Sequence, residues 1–199
     1  NFFINGYLGV DLFFVISGYL MASIIFSESK QNYNILYFLY RRAKRILPLY
    51  FFLLLLFYFV LSIIVNLENI RENNLQSFLS SIVFLNNILM FLKLNYCSIE
   101  CSFSAFLHLW SLSVEVQYYI FFAITVFFCF KKNRKLIKIL FLILFFIFFI
   151  YFLFVNSSDQ LASFYLLQNR LWEFLLGSLT FFLYKDYDLE KKFNFLNFN

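Results

Sequence analysis

Four runs of about twenty residues, Tyr7–Phe26, Ile46–Val65, Leu109–Phe130 and Leu136–Val155, decide what this chain can fold into. A helix rises about 1.5 Å per residue, so each run matches the roughly 30 Å hydrocarbon core of a bilayer. No soluble domain of 199 residues hides so much apolar surface in one core, with 63% of the chain hydrophobic, 25% aromatic and a mean hydropathy of +0.79. The expected fold is all-α, a polytopic transmembrane bundle of about five spans plus one interfacial or re-entrant helix. Residues 1–199 read as a single, partial transmembrane domain. The 34 Phe residues reflect a compositional bias, so no single Phe is read as a site.

The weaker segments follow from length. Phe78–Leu92 has 15 residues, too few for an ordinary crossing, and reads as the interfacial or re-entrant helix. The last helix has to begin near Leu161 to reach Tyr184 across the membrane, which draws Asn169, Arg170 and Glu173 into it. Thirteen of the 16 basic residues fall in three blocks, at 30–45, 131–138 and 185–192. With all three cytoplasmic, as the positive-inside rule asks, residues 66–108 lie outside. A net charge of +5 spread in this pattern is a topology signal and excludes a nucleic-acid reading.

Ionisable groups inside apolar runs are costly and usually face partners or water. In Gly9-Val10-Asp11-Leu12-Phe13-Phe14-Val15-Ile16-Ser17-Gly18-Tyr19-Leu20 the carboxylate of Asp11 is flanked by small residues that let a second helix approach. Asp11 either rests at headgroup level or turns inward. In His108-Leu109-Trp110-Ser111-Leu112-Ser113-Val114-Glu115, the residues His108, Ser111 and Glu115 recur at helical spacing, continued by Tyr118 or Tyr119. His108 is the only histidine and the one side chain whose ordinary pKa suits proton transfer near neutral pH; it also fits a polar helix start. Asn169, Glu173 and Gly177 share one face at i, i+4, i+8, as a site or as a packing seam. The reading places Asp11, His108, Glu115, Arg170 and Glu173 toward the outer side.

On the opposite side, Arg41-Arg42-Ala43-Lys44-Arg45 precedes a span. It serves as an orientation signal or as a phosphate cradle, which the paired donors of a guanidinium suit. Cys97, Cys101 and Cys129 form no framework and no metal-ligand spacing, so no metal is expected; whether Cys97 and Cys101 pair stays open. The chain opens on Asn1 with no cleavable leader and is expected to start inside a longer protein.

The series GVDLFFVISGYL, RRAKRILP, HLWSLSVEVQYYIF and NRLWEFLLG, in this order from Gly9 to Gly177, resembles the acyltransferase-3 family of membrane O-acyltransferases. WSLSVE is the specific block, and Val116 departs from it where the family usually carries a second Glu. The family's preceding helix, with an Arg and a His proposed as catalytic, would lie before Asn1.

The resemblance implies transfer of an acyl group, acetyl foremost, from a cytoplasmic acyl-CoA to a hydroxyl of an extracytoplasmic glycan or glycolipid. The setting it implies is the bacterial inner membrane, with the bilayer, acyl-CoA and the glycan as partners and no bound cofactor. It assigns Arg41, Arg42 and Arg45 to the donor, catalysis to His108, Glu115 and Asp11, and the acceptor cavity or a structural polar cluster to Ser111, Arg170 and Glu173. The rival readings are a polytopic transporter and a truncated, non-catalytic remnant of the family.

Overall fold

The computed structural model describes residues 7–27, 35–64, 68–96, 106, 108–130 and 134–186. These form eight α-helices among the described residues: α1 Tyr7–Ser27, α2 Ile35–Ile64, α3 Glu68–Ile82, α4 Asn86–Tyr96, α5 Leu109–Phe130, α6 Arg134–Ser158, α7 Gln160–Tyr165 and α8 Leu167–Asp186. Four of them are long and apolar enough to cross a membrane, over Leu8–Phe26, Leu39–Val60, Leu109–Phe127 and Leu136–Ser158. That makes an all-helical integral membrane protein. The count is one short of the five read from sequence because α8, although 20 residues long, carries Arg170, Glu173 and Lys185.

The structure corrects three boundaries. The second span does not start at Ile46: α2 runs unbroken from Ile35 through Arg41–Arg45 and Pro48, so the basic block lies within the helix. The last helix does not begin near Leu161. Asp159 caps α7 by accepting a hydrogen bond from the Ala162 N–H at 2.9 Å, and extended backbone at Leu166 separates α7 from α8. The break is held from the far side. The Asn169 Nδ2 donates to the Ala162 carbonyl at 2.8 Å and the Arg170 Nε to that of Phe164 at 3.1 Å, which satisfies carbonyls that a helix end leaves bare. Finally, 78–92 is not one helix but the turn of a hairpin, centred on Phe84 with φ 56°, a left-handed conformation uncommon for a bulky residue.

The chain divides into two compact units. In the first, built from residues 1–33, 124–151 and 171–199, α1 and α8 run parallel. Phe14 stacks on Phe174 with ring centroids 4.6 Å apart, Tyr19 meets Phe181, and Phe26 meets Phe182. Small residues make this approach possible. A Cβ on Gly18 would strike the Phe174 carbonyl and one on Gly177 the Val15 carbonyl, while the Ser178 hydroxyl donates to the Gly18 carbonyl at 3.0 Å. Gly9, by contrast, is exposed with open space beside it. At the far end the Lys185 ammonium donates to the Phe26 carbonyl at 2.9 Å, a cation on the exposed carbonyls of a helix C-terminus.

The second unit holds residues 34–123 and 152–170. Tyr58 stacks on Phe78 and Tyr50 on Phe84, at 4.3 and 4.9 Å, so α2 and α3 run antiparallel. The Lys93 ammonium reaches the Ser77 hydroxyl at 3.4 Å, bringing α4 back along α3. Asn87 then ties α4 to the Tyr165 carbonyl of α7 and to Gln117 of α5. Tyr50, Leu54 and Phe106 form a buried apolar cluster with Leu109 and Leu112 against it.

The α1–α8 contact yields a test. Gly18→Val should lower the unfolding free energy by roughly 1 to 3 kcal/mol, the usual range for overpacking, because the added atoms meet backbone rather than a side chain that can swing away. Gly9→Val should cost much less. Thermal unfolding of the two purified variants in the same detergent checks the difference.

Candidate active site

Arg42, Glu115 and Tyr119 come together in the second unit. Along Arg41–Arg45, Arg41, Lys44 and Arg45 are exposed and Arg42 alone is buried, at 8% exposure. A helix turns successive residues by about 100°, so one of four clustered cations can face inward while the others extend to water. The Arg42 guanidinium lies 6.0 Å from the centre of the Tyr119 ring and feels the Glu115 carboxylate. Its Nη2 is buried with no hydrogen-bond acceptor among the described residues.

Glu115 is 5% exposed and accepts a hydrogen bond from the Tyr119 hydroxyl, one turn along the same face of α5. Spacing at i, i+4 makes that pair local. An ionised carboxylate at this depth requires a donor and a positive charge, and Tyr119 and Arg42 supply them. Glu115 and Arg42 are therefore not on opposite sides, as the sequence reading had them. The block is helical and Arg42 points along α2 toward the middle of α5.

The other expected residues are distributed. His108 is exposed just before α5, its backbone carbonyl accepting from the Ser111 hydroxyl at 3.3 Å. It shares the Glu115 face but stands two turns away, roughly 10 Å along the axis. Arg170, besides holding the end of α7, places its guanidinium 5.0 Å from the centre of the Phe164 ring. In the first unit, Asp11 is half-buried and Glu173 is 1% exposed. The parallel register that sets Val15 beside Gly177 puts Asp11 and Glu173 at one level, a turn earlier in each helix. Cys97 and Cys101 lie outside the described residues.

Sequence reasoning missed Gln117 and the asparagines it meets. Gln117 Nε2 donates to the Phe84 carbonyl at 2.7 Å and to Asn87 Oδ1 at 2.9 Å, on the α5 face opposite Glu115. An uncharged amide in an apolar run was the available signal. Asn86 Nδ2 likewise donates to the Phe106 carbonyl at 2.8 Å.

A helical membrane fold with a buried arginine facing a hydrogen-bonded carboxylate across two helices is the class of protein that these features define. The chain belongs to the acyltransferase-3 family: the family described as an acyltransferase domain matches residues 1–196. It is 37% identical over 134 residues to an uncharacterised protein of Haemophilus influenzae, covering 66% of this chain and 54% of that one. A putative O-acetyltransferase of Staphylococcus aureus strain COL is 31% identical over 194 residues, 94% of this chain and 32% of the relative. The O-acetyltransferase OatA of S. aureus strain NCTC 8325 is 30% identical over 192 residues, with the same coverage. The chain thus spans about half the length of the first relative and about a third of the others. No solved structure matches it.

The charge pairing sets an expected outcome for stability. Arg42→Met removes the cation that lies over the Tyr119 ring and whose charge reaches Glu115, and should cost about 1 to 2 kcal/mol. Adding Glu115→Gln should restore most of the loss, since the amide needs no counter-charge. Chemical unfolding of the single and double variants in detergent checks whether the two effects are non-additive.

Proposed function

We propose that this chain is the part of a membrane O-acyltransferase that takes an acyl group, acetyl foremost, from cytoplasmic acyl-CoA and delivers it to a hydroxyl of an extracytoplasmic glycan or glycolipid. The membrane is the bacterial cytoplasmic membrane, with the three basic blocks inside. One observation supports the reading: the buried Arg42 Nη2 has no acceptor among the described residues, near a carboxylate that accepts from Tyr119. A guanidinium donor left open in that setting suits an anionic or carbonyl oxygen of a donor thioester, with the exposed Arg41 and Arg45 available to its phosphates.

In the transfer, the acceptor oxygen bonds to the thioester carbonyl carbon and the carbon–sulfur bond breaks. The acceptor's proton passes to a base and from there to the departing thiolate. Glu115, held in orientation by the Tyr119 hydroxyl, takes that proton and returns it to the departing thiolate, while His108, on the same face of α5 two turns away, contacts the acceptor from the exposed end. Arg42 steadies the negative charge that develops on the carbonyl oxygen. Ser111 and Arg170, in the same unit as Glu115, offer polar contacts to a hydroxyl-rich acceptor. Acyl-CoA is a co-substrate here and no bound cofactor is invoked.

The test uses the complete protein reconstituted in lipid with a radiolabelled acyl-CoA. Glu115→Gln should lower kcat by about a hundredfold or more at normal membrane level, the range of a lost acid–base group. Arg42→Lys keeps the charge but loses the planar fork, so the donor Kd should rise about tenfold, an effect of roughly 1.4 kcal/mol. Full turnover by Glu115→Gln would remove Glu115 from proton transfer, and an unchanged donor Kd in Arg42→Lys would move the donor elsewhere.

A further inference from the structure

We infer that α3 and α4 form a re-entrant hairpin that enters the bilayer beside α2, turns at mid-depth and leaves by the same face, with the acyl chains of the lipid against its outer surface. The polarity of the hairpin is inverted. Its inward positions are Asn74, Ser77, Ser81, Asn86, Asn87 and Lys93, all buried, with Ser77, Ser81 and Asn86 at 0% exposure. Its outward positions toward the turn are apolar: Leu79 is 54% and Val83 59% exposed, and Ile82, Leu85 and Ile88 follow the same pattern, while Gln76 and Leu92 are exposed near the open end. A hairpin resting on the membrane surface would expose its polar groups to water and bury its leucines, the reverse of this arrangement.

Depth comes from α2. Phe78 stacks on Tyr58, close to the end of the Leu39–Val60 stretch, and Phe84 stacks on Tyr50 near its middle. From Val60 to Tyr50 is ten residues, about 15 Å, or half the hydrocarbon thickness. The Lys93–Ser77 bond returns α4 to the level from which α3 descended. With 15 and 11 residues, neither helix crosses alone.

The turn also satisfies the condition that a bilayer imposes on non-helical backbone. Carbonyls released at that depth need partners from the protein because water is absent. The Phe84 carbonyl receives Gln117 Nε2 at 2.7 Å, the Ser81 carbonyl receives the Tyr50 hydroxyl at 2.9 Å, and the Phe84 N–H donates to the Ser81 carbonyl at 3.1 Å. The exposed apolar face of the hairpin continues that of α2, where Phe52, Leu55, Leu56 and Phe59 point outward. Lipid on α2 is therefore lipid on its neighbour.

Single cysteines at Val83, Gln76 and Leu92, in complete protein with its native cysteines replaced and reconstituted in phosphatidylcholine vesicles, decide the matter. A fluorophore at Val83 should be quenched at least twofold more by mid-chain doxyl lipid than by aqueous iodide. Gln76 and Leu92 should react with an impermeant thiol reagent from one and the same face. Iodide reaching Val83 would place the hairpin at the surface and overturn the proposal. Quenching by neither agent would mean that another part of the protein covers the tip, which overturns the lipid contact. Labelling of Gln76 and Leu92 from opposite faces would make the segment a crossing and overturn it too. Because none of these readouts involves acyl transfer, they are independent of the reaction proposed above.

Discussion

Backbone polar groups removed from water must find partners inside the protein, and that constraint shapes three places where the described chain stops being helical. At the end of α7, the side chains of Asn169 and Arg170 fold back onto the carbonyls of Ala162 and Phe164. At the α3–α4 turn, Gln117 and Tyr50 take the carbonyls of Phe84 and Ser81. Ahead of α5, Asn86 takes the carbonyl of Phe106. Each of these breaks costs helical hydrogen bonds, and each is matched by a side-chain donor from another element.

Charge obeys the same rule with larger energies. Glu115, 5% exposed, has the Tyr119 hydroxyl as a hydrogen-bond donor and the charge of Arg42 nearby. Arg41, Lys44 and Arg45 are exposed where Arg42 is buried. One helical segment thus holds its cations in two environments that differ only in which way a side chain faces. The local arrangement is asymmetric: Glu115 has a donor on its own helix, whereas the Arg42 Nη2 has no acceptor among the described residues.

Fold class was legible because lipid enforces it through length and apolarity, which need no tertiary information. The family was legible because WSLSVE and its companion blocks are specific. What could not be read was facing. Arg41, Arg42, Lys44 and Arg45 are equivalent in any hydropathy profile, and only packing against α5 singles out Arg42. Setting Arg42 apart from Glu115 failed for the same reason, since a side chain as long as arginine reaches well beyond its own Cα. The break at Leu166 was hidden because no Gly or Pro marks it; its cause is a pair of capping side chains that lie after it. Phe84 gave no warning either, because a left-handed turn normally advertises itself with Gly or Asn, and here the stacked Tyr50 ring and the Gln117 bond impose it on a bulky residue.

The segment from Glu115 to Tyr119 ties these strands of argument together. Glu115 and Tyr119 project toward Arg42, and Gln117, about 200° around the helix, projects toward the hairpin turn. Any rotation of α5 that improved one contact would spoil the other. Tyr50, which bonds to Ser81 and stacks on Phe84, holds α2 to that same turn, so both helices that build the Arg42–Glu115–Tyr119 group are referenced to one point. A short hairpin that cannot span the membrane can therefore fix the relative register of two helices that do. This explains why its inner face spends so many polar side chains where apolar ones would suffice for packing. Directional hydrogen bonds specify rotation and register, whereas leucines on smooth helices would leave both free to drift.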